Sequence, residues 1–174
     1  SLYMIALGVG QVLFGPVSDR VGRRPVLICG ALLFAVSSFL LAGTSSAASF
    51  VGLRVIQALG ASAALVALFA TVRDVYAERP ESAVIYSLLN AMLAFVPALG
   101  PIIGALIADW FGWRAIFVAL GLPMFVALLY ALPRWHETRP ERGESRSGAF
   151  LPVLQSSAFW TYTLGFSAAM GAFF

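Results

Sequence analysis

The chain has 174 residues, 60% of them hydrophobic and 11% charged, with a mean hydropathy of +0.90. Soluble domains carry about 25% charged residues, so a water-soluble globule is excluded and a bilayer is the solvent this composition suits. A single Cys (Cys29) and a single His (His136) exclude a disulfide framework or a His/Cys metal site built from this chain alone.

Taken in chain order, six segments are apolar enough to span a membrane in whole or in part: 1–17, 26–43, 48–72, 83–108, 114–132 and 156–174. The first and last are incomplete candidates. The separators are Asp19–Pro25, Gly43–Ser46, Arg73–Ser82, Asp109–Arg114 and Pro133–Gly148. Backbone polar groups cannot go unpaired in lipid, so helices are the expected spanning element. The alternating runs of about 10 residues that a β-barrel needs do not occur. The expected fold class is therefore all-α, a polytopic helical membrane protein. The chain starts at Ser1 without a signal peptide and stops at Phe174 inside an apolar run, so a piece of a longer protein is expected.

All 11 basic residues are Arg. Except for Arg114 and the intra-span Arg54, they fall on one side: Arg20, Arg23 and Arg24, then Arg73 and Arg79, then Arg134, Arg139, Arg142 and Arg146. The positive-inside rule makes that side cytoplasmic. It also accounts for the sequence pI near 9.5 by topology and attraction to anionic lipid, without nucleic acid. Trp110, Trp113 and Trp135 sit at span ends and are expected to be depth anchors.

Three stretches say more than topology requires. In Gly15-Pro16-Val17-Ser18-Asp19-Arg20-Val21-Gly22-Arg23-Arg24-Pro25, the first span ends and Pro25 is expected to open the second. Gly15 and Gly22 would permit a close approach or a positive φ. In the third span, Arg54 is followed by Gln57 and Gly60. A charge there is paired or functional, or it snorkels to the nearby interface. In the fourth span, Pro97-Ala98-Leu99-Gly100-Pro101-Ile102-Ile103-Gly104 places two prolines, which favour a kink, beside two glycines, which let another helix approach.

These stretches carry a resemblance to the major facilitator superfamily. Asp-Arg followed by Gly-Arg-Arg resembles that family's cytoplasmic loop between its second and third helices. The resemblance implies a gating role for Gly15, Asp19, Arg20, Gly22, Arg23, Arg24 and Asp74. Asp19 would face a helix N-terminus in the other half of the transporter, and Arg23 would pair with Asp74 at the inner end of the fourth helix. Arg-x-x-Gln-x-x-Gly is similar to the family's fourth-helix motif, which implies proton coupling through Arg54. Gly-Pro-x-x-Gly, with Pro97, Gly100, Pro101 and Gly104, is similar to the fifth-helix motif of drug:proton antiporters. Where the family often has a second Gly, this chain has Ala105. Within the antiporters, Phe69–Tyr76, Met92–Pro101, Phe159-Trp160 and Tyr162-Thr163 are most similar to chloramphenicol/florfenicol and bicyclomycin-type exporters.

The resemblance implies a register from the second helix to most of the seventh. Residues 1–132 would belong to the N-terminal half with its first helix missing, 133–152 to a solvated cytoplasmic connector, and 153–174 to the start of the C-terminal half. His136 would be a surface residue. The expected activity is proton-coupled efflux of a small amphiphilic drug, an amphenicol antibiotic, by alternating access in the bacterial inner membrane. No cofactor beyond the proton gradient is expected. The partners would be the drug, the lipid bilayer and the rest of the transporter, with no nucleic acid. Tyr3, Gln11, Gln57, Tyr86, Asn90 and Met92 are candidate drug contacts on apolar walls, and each fits plain helix packing as well.

The 8 acidic residues all lie in loops or at helix ends, so this stretch offers no mid-membrane proton carrier. The resemblance places such an acid on the missing first helix. A symporter or facilitator for a metabolite is the alternative, and a non-transporting scaffold a remote one. A membrane enzyme would need a buried cluster of acids or His residues that the sequence lacks.

Overall fold

A computed structural model describes residues 2–76, 79–138, 155–157 and 161. Ser1–Arg139 form one compact unit, and Pro140–Phe174 fall in a second. The first unit holds five α-helices: α1 (Leu2–Val21), α2 (Arg23–Gly43), α3 (Ala47–Tyr76), α4 (Ser82–Phe111) and α5 (Trp113–Arg134). All five are long and apolar enough to cross a membrane. With 30 residues each, α3 and α4 are about 45 Å long, so their ends reach past a hydrocarbon core of about 30 Å. The sixth expected span, and the connector from Arg139 onward, lie outside the described residues apart from 155–157 and 161.

Five helices stand where the first five apolar segments predict them, but two separators are shorter than expected. Asp19–Pro25 is not an extended linker. The helix runs on to Val21, and the chain reverses at Gly22 alone, with φ 119°. Pro25 therefore lies in the first turn of α2, two residues after the start, where its missing N–H is still free of any intrahelical obligation. Asp109–Arg114 shrinks in the same way to Gly112, with φ 81°. A positive φ turns the chain within one residue, so the residues on either side stay helical.

The packing is built on α2 and α3. Gly30 and Gly60 bring their backbones together. A Cβ on Gly30 would lie 2.6 Å from the Ala64 nitrogen, and one on Gly60 would lie 2.6 Å from the Phe34 nitrogen. Small buried residues flank the contact, among them Ala31, Ala35, Ala58, Ala63 and Ala67. Lipid offers no hydrophobic drive between helices, so close backbone approach through small residues is how such helices hold. α1 packs on α3, and α5 packs on α2. At the far end from Gly22, Phe50 of α3 meets Trp113 and Phe117 of α5 edge-on, with ring centroids 5.9 and 5.6 Å apart. Trp113 thus joins a packed aromatic cluster, while Trp110 stays 77% exposed, as an anchor would.

α4 differs from the rest. It packs chiefly on α5, and none of its residues is buried among the described residues. It runs as one helix through both Pro97 and Pro101.

Candidate functional site

Two polar clusters sit at opposite ends of the unit. At the end bearing the Gly22 turn, Arg23 opens α2 and is buried, its side chain 5% exposed. Its Nε donates to Asp74 Oδ2 at 2.9 Å. One terminal nitrogen donates to Ser18 Oγ at 3.1 Å and also to Asp19 Oδ1. Asp74, in the last turn of α3, is 8% exposed, whereas Asp19 in α1 is 62% exposed. One guanidinium thus ties α1, α2 and α3 together. Its planar fork suits this task, because its donors point in fixed, separate directions. Arg73 adds a longer ion pair to the other oxygen of Asp74, at 3.6 Å. Arg20 lies in the last turn of α1, where a cation complements the helix dipole.

A third carboxylate completes this cluster. Glu137 Oε1 accepts from the Arg23 backbone N–H at 2.8 Å, and its Oε2 accepts from that of Arg24 at 3.2 Å. The Arg24 side chain in turn donates to the Leu132 carbonyl at 3.1 Å. Trp135 packs against Val26, Leu27, Ala63 and Ala67. The start of the expected solvated connector, residues 135–138, is therefore docked against α2. Trp135 is half-buried as a packing residue, while His136 is exposed. Glu137 and Ser18 were missed in the sequence: Glu137 stands outside every recognised motif, and Ser18 stands within one but at a position to which the motif gives no role.

A cavity of about 500 Å³ opens beside Asp19 and Arg23, and Gln11, Gly15, Phe69 and Tyr86 line it too. Among the described residues, no atom from outside its own stretch of helix lies within 4 Å of where a Cβ on Gly15 would sit, so it makes no close contact there. Its φ is not positive, unlike that of Gly22.

At the opposite end, Arg54 does not snorkel outward. It donates to Gln57 Oε1, one turn further into the helix, at 2.7 Å. Gln57 Nε2 donates to Ser38 Oγ at 2.7 Å, and Ser38 donates to the Phe34 carbonyl at 2.7 Å. The Tyr3 ring covers the guanidinium at 4.3 Å and Phe117 flanks it at 5.6 Å. Ser38 is a further member that the sequence did not reveal.

Of the candidate drug contacts, Gln11 and Tyr86 share the cavity and Tyr3 lies on Arg54. Gln57 has no accessible surface, and both ends of its amide are engaged. It is part of the Arg54 support, not an open contact. Asn90 and Met92 are exposed on α4. Gly100 and Gly104 line an apolar groove of about 380 Å³ between α4 and α5, next to Leu99 and Ile103. Nothing among the described residues lies within 4 Å of a Cβ at either glycine, so no helix uses that face here.

Five spanning helices, stapled at one end by a buried Arg–carboxylate cluster, define a multi-pass α-helical membrane protein. The profile of the Major Facilitator Superfamily matches residues 1–174, and the chain belongs to that family, whose members are membrane transporters. It is 56% identical over 174 residues to a chloramphenicol resistance protein of Pseudomonas aeruginosa, covering 99% of this chain and 41% of that protein. It is 34% identical over 146 residues to the multidrug resistance protein MdtL of Salmonella heidelberg (strain SL476), covering 84% of this chain and 37% of that one. Against MdtL of Escherichia coli O9:H4 (strain HS) the identity is 35% over 140 residues, covering 80% and 36%. The chain thus spans about two fifths of the length of these relatives.

Proposed function

We propose that this chain forms helices two to six of a drug exporter's N-terminal half, over residues 1–132, with 133–152 leading to a second half that starts at 153. The exporter resides in a bacterial inner membrane, draws on the proton gradient without a bound cofactor, and expels an amphenicol antibiotic. One observation carries the mechanism: Arg23 joins carboxylates from two other helices at the cytoplasmic end. An ion pair of this kind can break and re-form as two halves rock about a central cavity. Asp19 is exposed beyond its bond to Arg23, which leaves it a free oxygen to meet a helix N-terminus of the opposite half. The cargo and the outward direction rest on the 56% identity to a chloramphenicol resistance protein and on the Gly-Pro-x-x-Gly stretch of α4.

Arg54 lies on α3 towards the end opposite the Arg23 cluster, held by Gln57 and capped by Tyr3. A fixed positive charge there lowers the pKa of an acid brought close, which is what a proton relay needs. In this reading that acid sits on the remainder of the transporter.

The test is chloramphenicol and florfenicol susceptibility of a sensitive bacterium expressing the full-length gene, Asp19→Asn, Arg54→Ala, or this chain alone. The expected result is resistance that a protonophore abolishes and that both variants and the isolated chain lose. If the full-length protein is abundant in the membrane and gives no resistance, the amphenicol assignment is wrong. Uptake of a metabolite then becomes the reading to pursue.

A further inference from the structure

Glu137 lies beyond every stretch that suggested the gate, and it is separated from Arg23 by 114 residues along the chain. Three independent features nevertheless fit it to the gate. Both carboxylate oxygens are engaged, each by one N–H of the first turn of α2, at 2.8 and 3.2 Å. These N–H groups have no intrahelical partner, and a carboxylate is the group that best complements the positive end of a helix. Gly22 makes the room: a Cβ there would lie 2.6 Å from Glu137 Oε2. Trp135 and the Arg24–Leu132 bond hold the segment leading into Glu137 against α2.

Arg23 is thus held twice. Its side chain is shared by Asp19 and Asp74, and its backbone is held by Glu137. The side-chain bonds need the start of α2 at a fixed height against α3; the Gly30–Gly60 contact sets the helix pair, and Glu137 holds its first turn. Covalently, Glu137 is also two residues from Arg139, where the first compact unit ends. Any pull on the segment that follows α5 reaches Glu137 before it reaches α2.

We propose that Glu137 is a positioning residue of the cytoplasmic gate. By anchoring the first turn of α2 it holds Arg23 in register with Asp19 and Asp74, and it transmits movement of the segment after α5 to that latch. The proposal rests on the gate reading above, though not on the identity of the drug.

The experiment uses the full-length transporter with Cys29 and any other native cysteine changed to Ser, and a single reporter, Gln11→Cys, in the wall of the inner cavity. Labelling by a thiol reagent applied from the cytoplasmic side, in inverted vesicles, reports how often the gate is open. Membrane abundance and thermal stability in detergent are measured alongside. Glu137→Ala should raise the labelling rate by roughly three- to tenfold, the change expected from losing a charged helix-terminus partner. Glu137→Gln keeps one acceptor oxygen and should fall between wild type and Glu137→Ala. His136→Ala, a change at an exposed neighbour, should leave labelling as it was. Asp74→Ala serves as the open-gate reference. If Asp74→Ala opens the gate while Glu137→Ala labels like wild type at equal abundance, the proposal is overturned and the gate reading stands. If Asp74→Ala itself leaves labelling unchanged, the gate reading falls and the proposal falls with it. If Glu137→Ala lowers abundance and melting temperature while labelling of the surviving protein stays at the wild-type rate, Glu137 is only a structural cap, and the proposal is likewise overturned.

Discussion

Arg23 has two carboxylates on its side chain, and they are not equivalent. Asp74 is 8% exposed and Asp19 is 62% exposed. Removing one partner of a buried ion pair strands the other charge and costs about 3–5 kcal/mol, whereas an exposed pair is worth about 0–1 kcal/mol. Asp74→Ala is therefore expected to lower the melting temperature of the purified transporter clearly, and Asp19→Ala barely, although both are expected to impair the proposed export. Equal melting shifts would show that burial does not govern this cluster. Arg23→Lys should fail in place of Arg, because an ammonium cannot serve Asp74 from one side and Asp19 from the other with fixed geometry. The cluster at the opposite end gives a milder case. Ser38→Ala leaves Gln57 Nε2 buried without an acceptor, a cost of about 1–3 kcal/mol. A melting shift in detergent measures it, and no shift would mean that another acceptor is within reach of Gln57. The Arg23–Asp74 contact was legible in the sequence because a motif gave each residue its place. Glu137 was not, since a charge in a loop rich in Arg and Glu reads as solvated until the fold brings it to a helix end.

At the scale of elements, glycines of similar appearance in the sequence do different work. Gly60 closes the Arg-x-x-Gln-x-x-Gly stretch, and its place is set by contact with α2, not by the chemistry of Arg54. A Cβ there would meet backbone atoms of Phe34 and Gly30, which cannot move aside as a side chain could. Gly60→Val is expected to force α2 and α3 apart and to cut membrane abundance severely. Gly100 and Gly104 have open space around them among the described residues. Gly100→Val and Gly104→Val should leave the stability of residues 2–138 nearly unchanged, measured by thermal unfolding of this unit if it is isolated in detergent. In the full-length transporter the same changes should abolish resistance, if another helix docks on that face. Normal resistance with Gly104→Val would show that the face needs no close neighbour. The first five spans were readable from apolar length alone. Their exact ends were not, because a single residue at positive φ can replace a linker, and nothing in the composition of Asp19–Pro25 or Asp109–Arg114 says how many residues leave the helix.

For the whole molecule, the question is which end faces the cytoplasm, and the fold sharpens what the arginine count suggested. Arg20 ends α1, Arg23 and Arg24 open α2, Arg73 lies near the end of α3, Arg79 precedes α4, and Arg134 ends α5. Contacts such as Arg23–Asp74 and Arg24–Leu132 bring several of these ends together directly. At the other end, Arg114 reaches the Thr44 carbonyl at 3.4 Å, beside the Phe50–Trp113–Phe117 cluster. Retention of Arg on the cytoplasmic side then orients every helix at once, because consecutive spans alternate in direction. In a background with Cys29 and any other native cysteine changed to Ser, a thiol reagent that cannot cross the membrane should label Ser45→Cys in intact spheroplasts. It should label Arg79→Cys only after permeabilisation. Both sites are exposed and lie outside the helices, so access decides the result and burial does not. The opposite pattern would invert the protein. It would put the Arg23 latch on the outer face, where closing it would block release of the cargo and leave the cytoplasmic side without a gate among these helices.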